Sequence, residues 1–90
     1  MGTAAIKIKI MPANPKANLD NIQKKAEEII KNSGSKNVSS EREPIAFGLT
    51  AIITLFSWKE EDSTDDLLDQ IREIEEVSSA EVIDFRRAFG

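Results

Sequence analysis

Carboxylates, ammonium groups and guanidinium groups are what this 90-residue chain has for chemistry, since it contains no histidine and no cysteine. Loss of the commonest general base and of the usual zinc ligands weighs against hydrolase and zinc readings. The densest acidic run is Glu60, Glu61, Asp62, Asp65, Asp66 and Asp69. Hard cations want such oxygens, but a calcium loop needs acidic residues at alternating positions around a glycine, and this run has none. A solvated helix cap is the better reading, so neither a metal site nor a cofactor is expected. Two other stretches stand out. Phe85-Arg86-Arg87-Ala88-Phe89-Gly90 sets two guanidinium groups between two rings. Pattern alone leaves open whether this is a solubilising edge or a contact surface. Glu43-Pro44-Ile45-Ala46-Phe47-Gly48-Leu49 is an apolar stretch near the midpoint, opened by proline and closed by a glycine next to a large ring. It reads as a turn, with Phe47 either displayed or buried.

The elements that must position these residues follow from periodicity. Ala4, Ile6, Ile8 and Ile10 alternate with Ala5, Lys7 and Lys9, which predicts a strand with three isoleucines on one face and two lysines on the other. Glu81 is a candidate cross-strand partner for those lysines. Pro12 and Pro15 end the strand, and Asn18 caps a helix whose stripe is Leu19, Ile22, Ala26, Ile29 and Ile30, stopped by Gly34. Lys36 to Arg42 reads as a polar edge strand, with Pro44 at an edge or strand end. Leu49 to Trp58 is apolar on both faces and reads as the central strand. Ser63, with Asp65 and Asp66, caps a second helix of similar length, whose stripe is Leu67, Leu68, Ile71, Ile74 and Val77. Ala80 to Phe89 completes the set as a strand whose poor alternation fits either a bulge or a sheet with both faces partly covered. The order β-α-β-β-α-β, in one domain spanning 1–90, predicts a ferredoxin-like α/β (α+β) sandwich, with two helices on one face of a four-stranded antiparallel sheet.

Composition narrows the partners. Sixteen acidic against twelve basic residues give a net charge of -4, which opposes direct nucleic-acid binding. Strand one also lacks the aromatics of an RNA-binding sheet. Absent cysteine fits a reducing cytoplasmic compartment, and neither a signal peptide nor a membrane-spanning stretch is expected.

EPIAFGL at 43–49, the strand-one ending Met11-Pro12 and VSSAEVIDFRRAFG at 77–90 make the chain similar to the archaeal elongation factor 1-beta family and to the C-terminal catalytic domain of its eukaryotic counterparts. The resemblance covers essentially the whole chain. It implies a guanine-nucleotide exchange factor, without chemistry of its own, that binds the translation GTPase elongation factor 1-alpha in its GDP-bound and nucleotide-free forms. It also implies partner contacts at Pro44, Phe47 and Gly48, with Ala46 departing from the family's first glycine. At the other stretch Phe85 matches an apolar position and Arg87, beside Arg86, falls where eukaryotic members insert a lysine toward magnesium and the phosphate-binding loop. Arginine there makes contact with a carboxylate or backbone as fitting as magnesium displacement. The exchange reading expects Phe47 and Arg87 to be exposed and close together. A second reading, a regulatory or small-ligand-binding domain, expects Ile52, Phe56 and Trp58 on an open sheet face or in a concave pocket.

Overall fold

The computed structural model of the protein describes residues 2–35 and 37–88. Lys36 of the expected edge strand, and Phe89 and Gly90 of the expected terminal cluster, lie outside the described residues, as does Met1. The elements run β1 (Thr3–Pro12), α1 (Leu19–Asn32), β2 (Ser39–Pro44), β3 (Thr50–Lys59), α2 (Asp65–Arg72) and β4 (Val77–Ala88). The four strands form one antiparallel sheet in the order β2-β3-β1-β4. This is the expected ferredoxin-like arrangement.

Alternation in β1 sorts its two faces: Ile6, Ile8 and Ile10 are fully buried, together with Ile52 and Phe56 of β3. Onto them pack Ile22, Ala26 and Ile30 of α1 and Leu67, Leu68 and Ile71 of α2. Each such side chain taken from water contributes about 1.5–3 kcal/mol, so this one layer is the main source of stability. The ends of α1 are closed as the sequence anticipates. The Asn18 side chain accepts the Asn21 N–H at 3.1 Å. Gly34, at φ +96°, lets its own N–H reach the Lys31 carbonyl and that of Ser35 reach Ile30. Asn18→Ala is expected to cost about 1 kcal/mol, seen in a thermal melt as a Tm lower by about 4–8 °C.

The edge strand β2 buries no residue and is tied down by polar contacts. Ser40 donates its hydroxyl proton to Glu27 of α1 at 2.7 Å, so the buried Thr54 hydroxyl, 3.0 Å away, must donate to Ser40. Arg42 reaches Asp20 of α1 at 2.7 Å. The strand lies a few residues beyond the expected 36–42, because the Gly34 turn and Asn37, at φ +58°, take up the chain before it.

The second helix is shorter than expected, eight residues against fourteen in α1. Ile74 is buried as foreseen, but from a turn: its N–H binds the Ile71 carbonyl and the Val77 N–H binds its own. Glu76, at φ +72°, then swings the chain into β4, where Val77 pairs with Pro12. Val77 therefore opens a strand and does not extend the helical stripe. Ser63 accepts the Asp65 N–H at 3.1 Å, from one position before the cap residue Thr64. Of the two explanations for the poor alternation of β4, a bulge is present: Lys7 pairs with Asp84 and Ile8 with Val82, leaving Ile83 unmatched.

Candidate functional site

The EPIAFGL stretch is the tip of the β2–β3 hairpin. Pro44 and Thr50 form the last rung. Beyond it the Ile45 N–H donates to the Leu49 carbonyl at 2.7 Å and the Leu49 N–H to Ala46 at 3.3 Å, closing a 3-10 turn over Ala46–Gly48. Such a tight closure requires left-handed backbone at two successive residues, Phe47 (φ 63°, ψ 29°) and Gly48 (φ 76°). Glycine accepts this freely, whereas an L-residue is disfavoured by about 1–2 kcal/mol. Phe47 gains no packing in exchange, because it is 93% exposed. Of the two readings of the turn, the displayed ring is the one found. A Cβ on Gly48 would lie 3.8 Å from Pro15, so the tip stands beside the β1–α1 connection.

The terminal cluster lies elsewhere. Phe85 pairs with Ile6, Arg86 with Ala5 and Arg87 with Ala4. Successive strand residues point to opposite faces, so Phe85 and Arg87 share the helix side with the buried Ile6 and Ala4, and Arg86 lies on the open side. Phe85 is half exposed. The Arg86 guanidinium donates to Asp84 at 3.0 Å, and that of Arg87 forms an ion pair with Glu60 at 2.8 Å. The structure thus does not bring the two arginines to one point.

Nor does it bring Phe47 and Arg87 together. Both β3 and β4 run antiparallel to β1, hence parallel to each other. A residue just before β3 and one at the end of β4 must then sit at opposite ends of the sheet. Eight residues of β1 separate the Arg87 rung at Ala4 from Pro12, a span of about 26 Å. The molecule's 41 Å long axis has room for both. Exposure of both residues is as expected and their proximity is not.

Strand three overturns the second reading's surface. Ile52 and Phe56 are fully buried beneath the helices, and the open face carries Ile53 and Leu55 with Lys7 and Lys9 between β3 and β4. Lys9 stands across from Glu81, and Lys7 from Asp84. A strand apolar on both sides does not reveal which side the helices will cover. Trp58 alone of the three borders a concavity, a cleft of about 470 Å³ shared with Thr3, Ser33, Asn37, Ser57 and Asp62. Its ring meets Phe56 edge-on at 5.7 Å and its Nε1–H donates to the Asp62 carbonyl at 3.1 Å.

Sequence reasoning missed Glu60, which it placed in a solvated acidic run. Its carboxylate is mostly covered and holds Arg87. Asp65 and Asp66 do fall in the first turn of α2, where the helix dipole favours them.

Comparison with known proteins agrees with the motifs. Residues 5–88 match the family described as the EF-1 guanine nucleotide exchange domain. The chain is 39% identical to Elongation factor 1-beta of Nanoarchaeum equitans over 90% of its own length and all of that protein. With Elongation factor 1-beta of Pyrococcus abyssi it shares 42% identity, covering 83% of this chain and 84% of that one. The corresponding protein of Methanocaldococcus jannaschii is 35% identical, over 93% and 96%.

Proposed function

The chain belongs to the EF-1 guanine nucleotide exchange domain family, and from that premise we propose that it releases GDP from elongation factor 1-alpha so that GTP can load. It would act in the cytoplasm on both the GDP-bound and the nucleotide-free GTPase, with no bond made or broken on the factor itself. The observation that carries this reading is Phe47, a ring held in disfavoured backbone and left in solvent. Folding gains nothing from that arrangement, whereas a partner with an apolar recess would gain an anchor.

Exchange needs coupling between two binding equilibria. If the factor binds the nucleotide-free GTPase more tightly than the GDP-bound one, GDP and factor weaken each other by that ratio, tenfold for about every 1.4 kcal/mol. Phe47, with Pro44 and Gly48 shaping its turn, supplies affinity at one end of the molecule. Arg87 supplies the antagonism at the other, with Phe85 beside it on the same face. Its guanidinium meets oxygens that otherwise serve the nucleotide phosphates or their magnesium. Arg86, on the opposite face, reaches a different part of the partner. Contacts at opposite ends of the sheet let one end hold while the other disturbs the nucleotide.

Stopped-flow release of a fluorescent GDP from the cognate GTPase tests this directly. Micromolar factor is expected to accelerate release, and an unchanged release rate rejects the proposal. The acidic body, at -4, is expected to be steered toward a basic partner, so association should slow as salt is raised.

A further inference from the structure

Arg87 is gripped at one edge only. Its Nε lies 2.8 Å from Glu60 Oε1 in an ion pair, while the side chain is 81% exposed and Glu60 only 25%. Among the described residues, no hydrogen bond or ion pair engages the terminal nitrogens Nη1 and Nη2. A guanidinium paired this way has Nε beside one carboxylate and two terminal nitrogens that can still bind another oxyanion.

The route of the Glu60 carboxylate explains a second residue. Glu60 follows β3 and extends the ladder by one rung, its N–H donating to the Gly2 carbonyl at 3.1 Å. Arg87 belongs to β4, on the far side of β1. To reach it the Glu60 side chain must cross β1, and it crosses at Gly2. A Cβ at Gly2 would overlap the Glu60 carboxylate, so a side chain there displaces that carboxylate from its path.

Resting on the exchange reading, we propose that Glu60 is a positioning residue for Arg87: crossing β1 over the bare Gly2, it anchors Nε and aims Nη1 and Nη2 at an oxyanion of the GTPase. Anchoring removes side-chain freedom before docking, so less is lost when the contact forms. It also gives the arginine a purpose that lysine could not serve. An ammonium concentrates its three donors on one compact atom, whereas a guanidinium can meet Glu60 at Nε and still present the planar Nη1/Nη2 fork to an oxyanion.

GDP release from the cognate GTPase, measured against factor concentration, tests this with Glu60→Ala, Glu60→Gln, Gly2→Val, Arg87→Ala and the double variant Glu60→Ala/Arg87→Ala. Glu60→Ala is expected to lower the maximal rate about tenfold with little change in the half-saturating concentration, since Phe47 still docks. Glu60→Gln, which retains an acceptor for Nε, should lose less. Gly2→Val should reproduce Glu60→Ala, because it displaces the same carboxylate. The double variant should be no slower than Arg87→Ala alone, a coupling that a general structural role would not produce. Melting temperatures should stay within a few degrees, as an ion pair whose arginine is 81% exposed contributes about 0–1 kcal/mol. If the unaltered chain accelerates release and Glu60→Ala matches or exceeds it, Glu60 does not position Arg87, while the exchange reading survives. If the unaltered chain itself gives no acceleration, both ideas fail.

Discussion

Replacing Arg87 by alanine is expected to slow the maximal rate of GDP release about 100-fold, the equivalent of about 2.7 kcal/mol, within the range for truncating one partner of a buried charged contact. The side chain lies at the end of an edge strand, 81% exposed and paired only with Glu60 among the described residues. Its loss therefore takes little from the fold, and the melting temperature should move by no more than a few degrees. Arg87→Lys should recover only part of the rate, because an ammonium beside Glu60 is a compact point charge without the planar fork that meets an oxyanion at two nitrogens. Rate traces at saturating factor, alongside thermal melts, give both numbers. Equal losses of rate and melting temperature would mean that Arg87 serves the fold.

Phe47 should behave in the opposite sense on stability. Phe47→Ala removes an exposed ring and is expected to raise the half-saturating factor concentration about 30-fold, the effect of losing a docking anchor of about 2 kcal/mol. Phe47→Gly should be as poor in docking yet more stable than the natural chain. It relieves about 1–2 kcal/mol of left-handed strain at φ 63° and gives back about 0.5–1 kcal/mol in glycine's greater unfolded freedom. A gain of about 0–1.5 kcal/mol remains, or up to several degrees in Tm. A variant that melts higher and exchanges worse would separate function from folding at this residue. A lower melting temperature for Phe47→Gly would show that the ring supports the hairpin. The two positions lie far enough apart that losses from Arg87→Ala and Phe47→Ala should add.

Much of this was legible in the residues themselves. Ile6, Ile8 and Ile10 against Lys7 and Lys9 name the buried face of β1 without ambiguity, and Asn18 and Gly34 bracket α1. The irregular run of Val82, Ile83 and Phe85 left a bulge as one of two explanations, and the pairing with β1 selects it. What escaped depends on register and topology. The sequence of β3 is apolar on both faces, so only its pairing with β1, Ile6 opposite Phe56, reveals that Phe56 is core. Ile74 and Val77 continue the helical spacing beyond the point where the helix stops, because a turn can also place an isoleucine in the core. Neighbouring arginines invite a joint role, yet a strand sends Arg86 and Arg87 to opposite faces. Glu60 looked like one acid among several until Gly2 and Arg87 were seen beside it.

The bulge at Ile83 also bears on how the molecule avoids its own kind. A sheet ordered β2-β3-β1-β4 has two open margins, each a row of backbone groups on which another chain could stack. β2 is six residues long, charged at Glu41, Arg42 and Glu43 and stopped by Pro44, which deters such stacking. β4 is twice that length and exposes Val82, Ile83 and Phe85. Two breaks in its register with β1, at Ile83 and near Val77, twist that margin out of the flat geometry that strand-on-strand growth requires. The irregularity that blurred the alternation thus lets β4 carry exposed apolar residues toward Arg87 without becoming a template for aggregation.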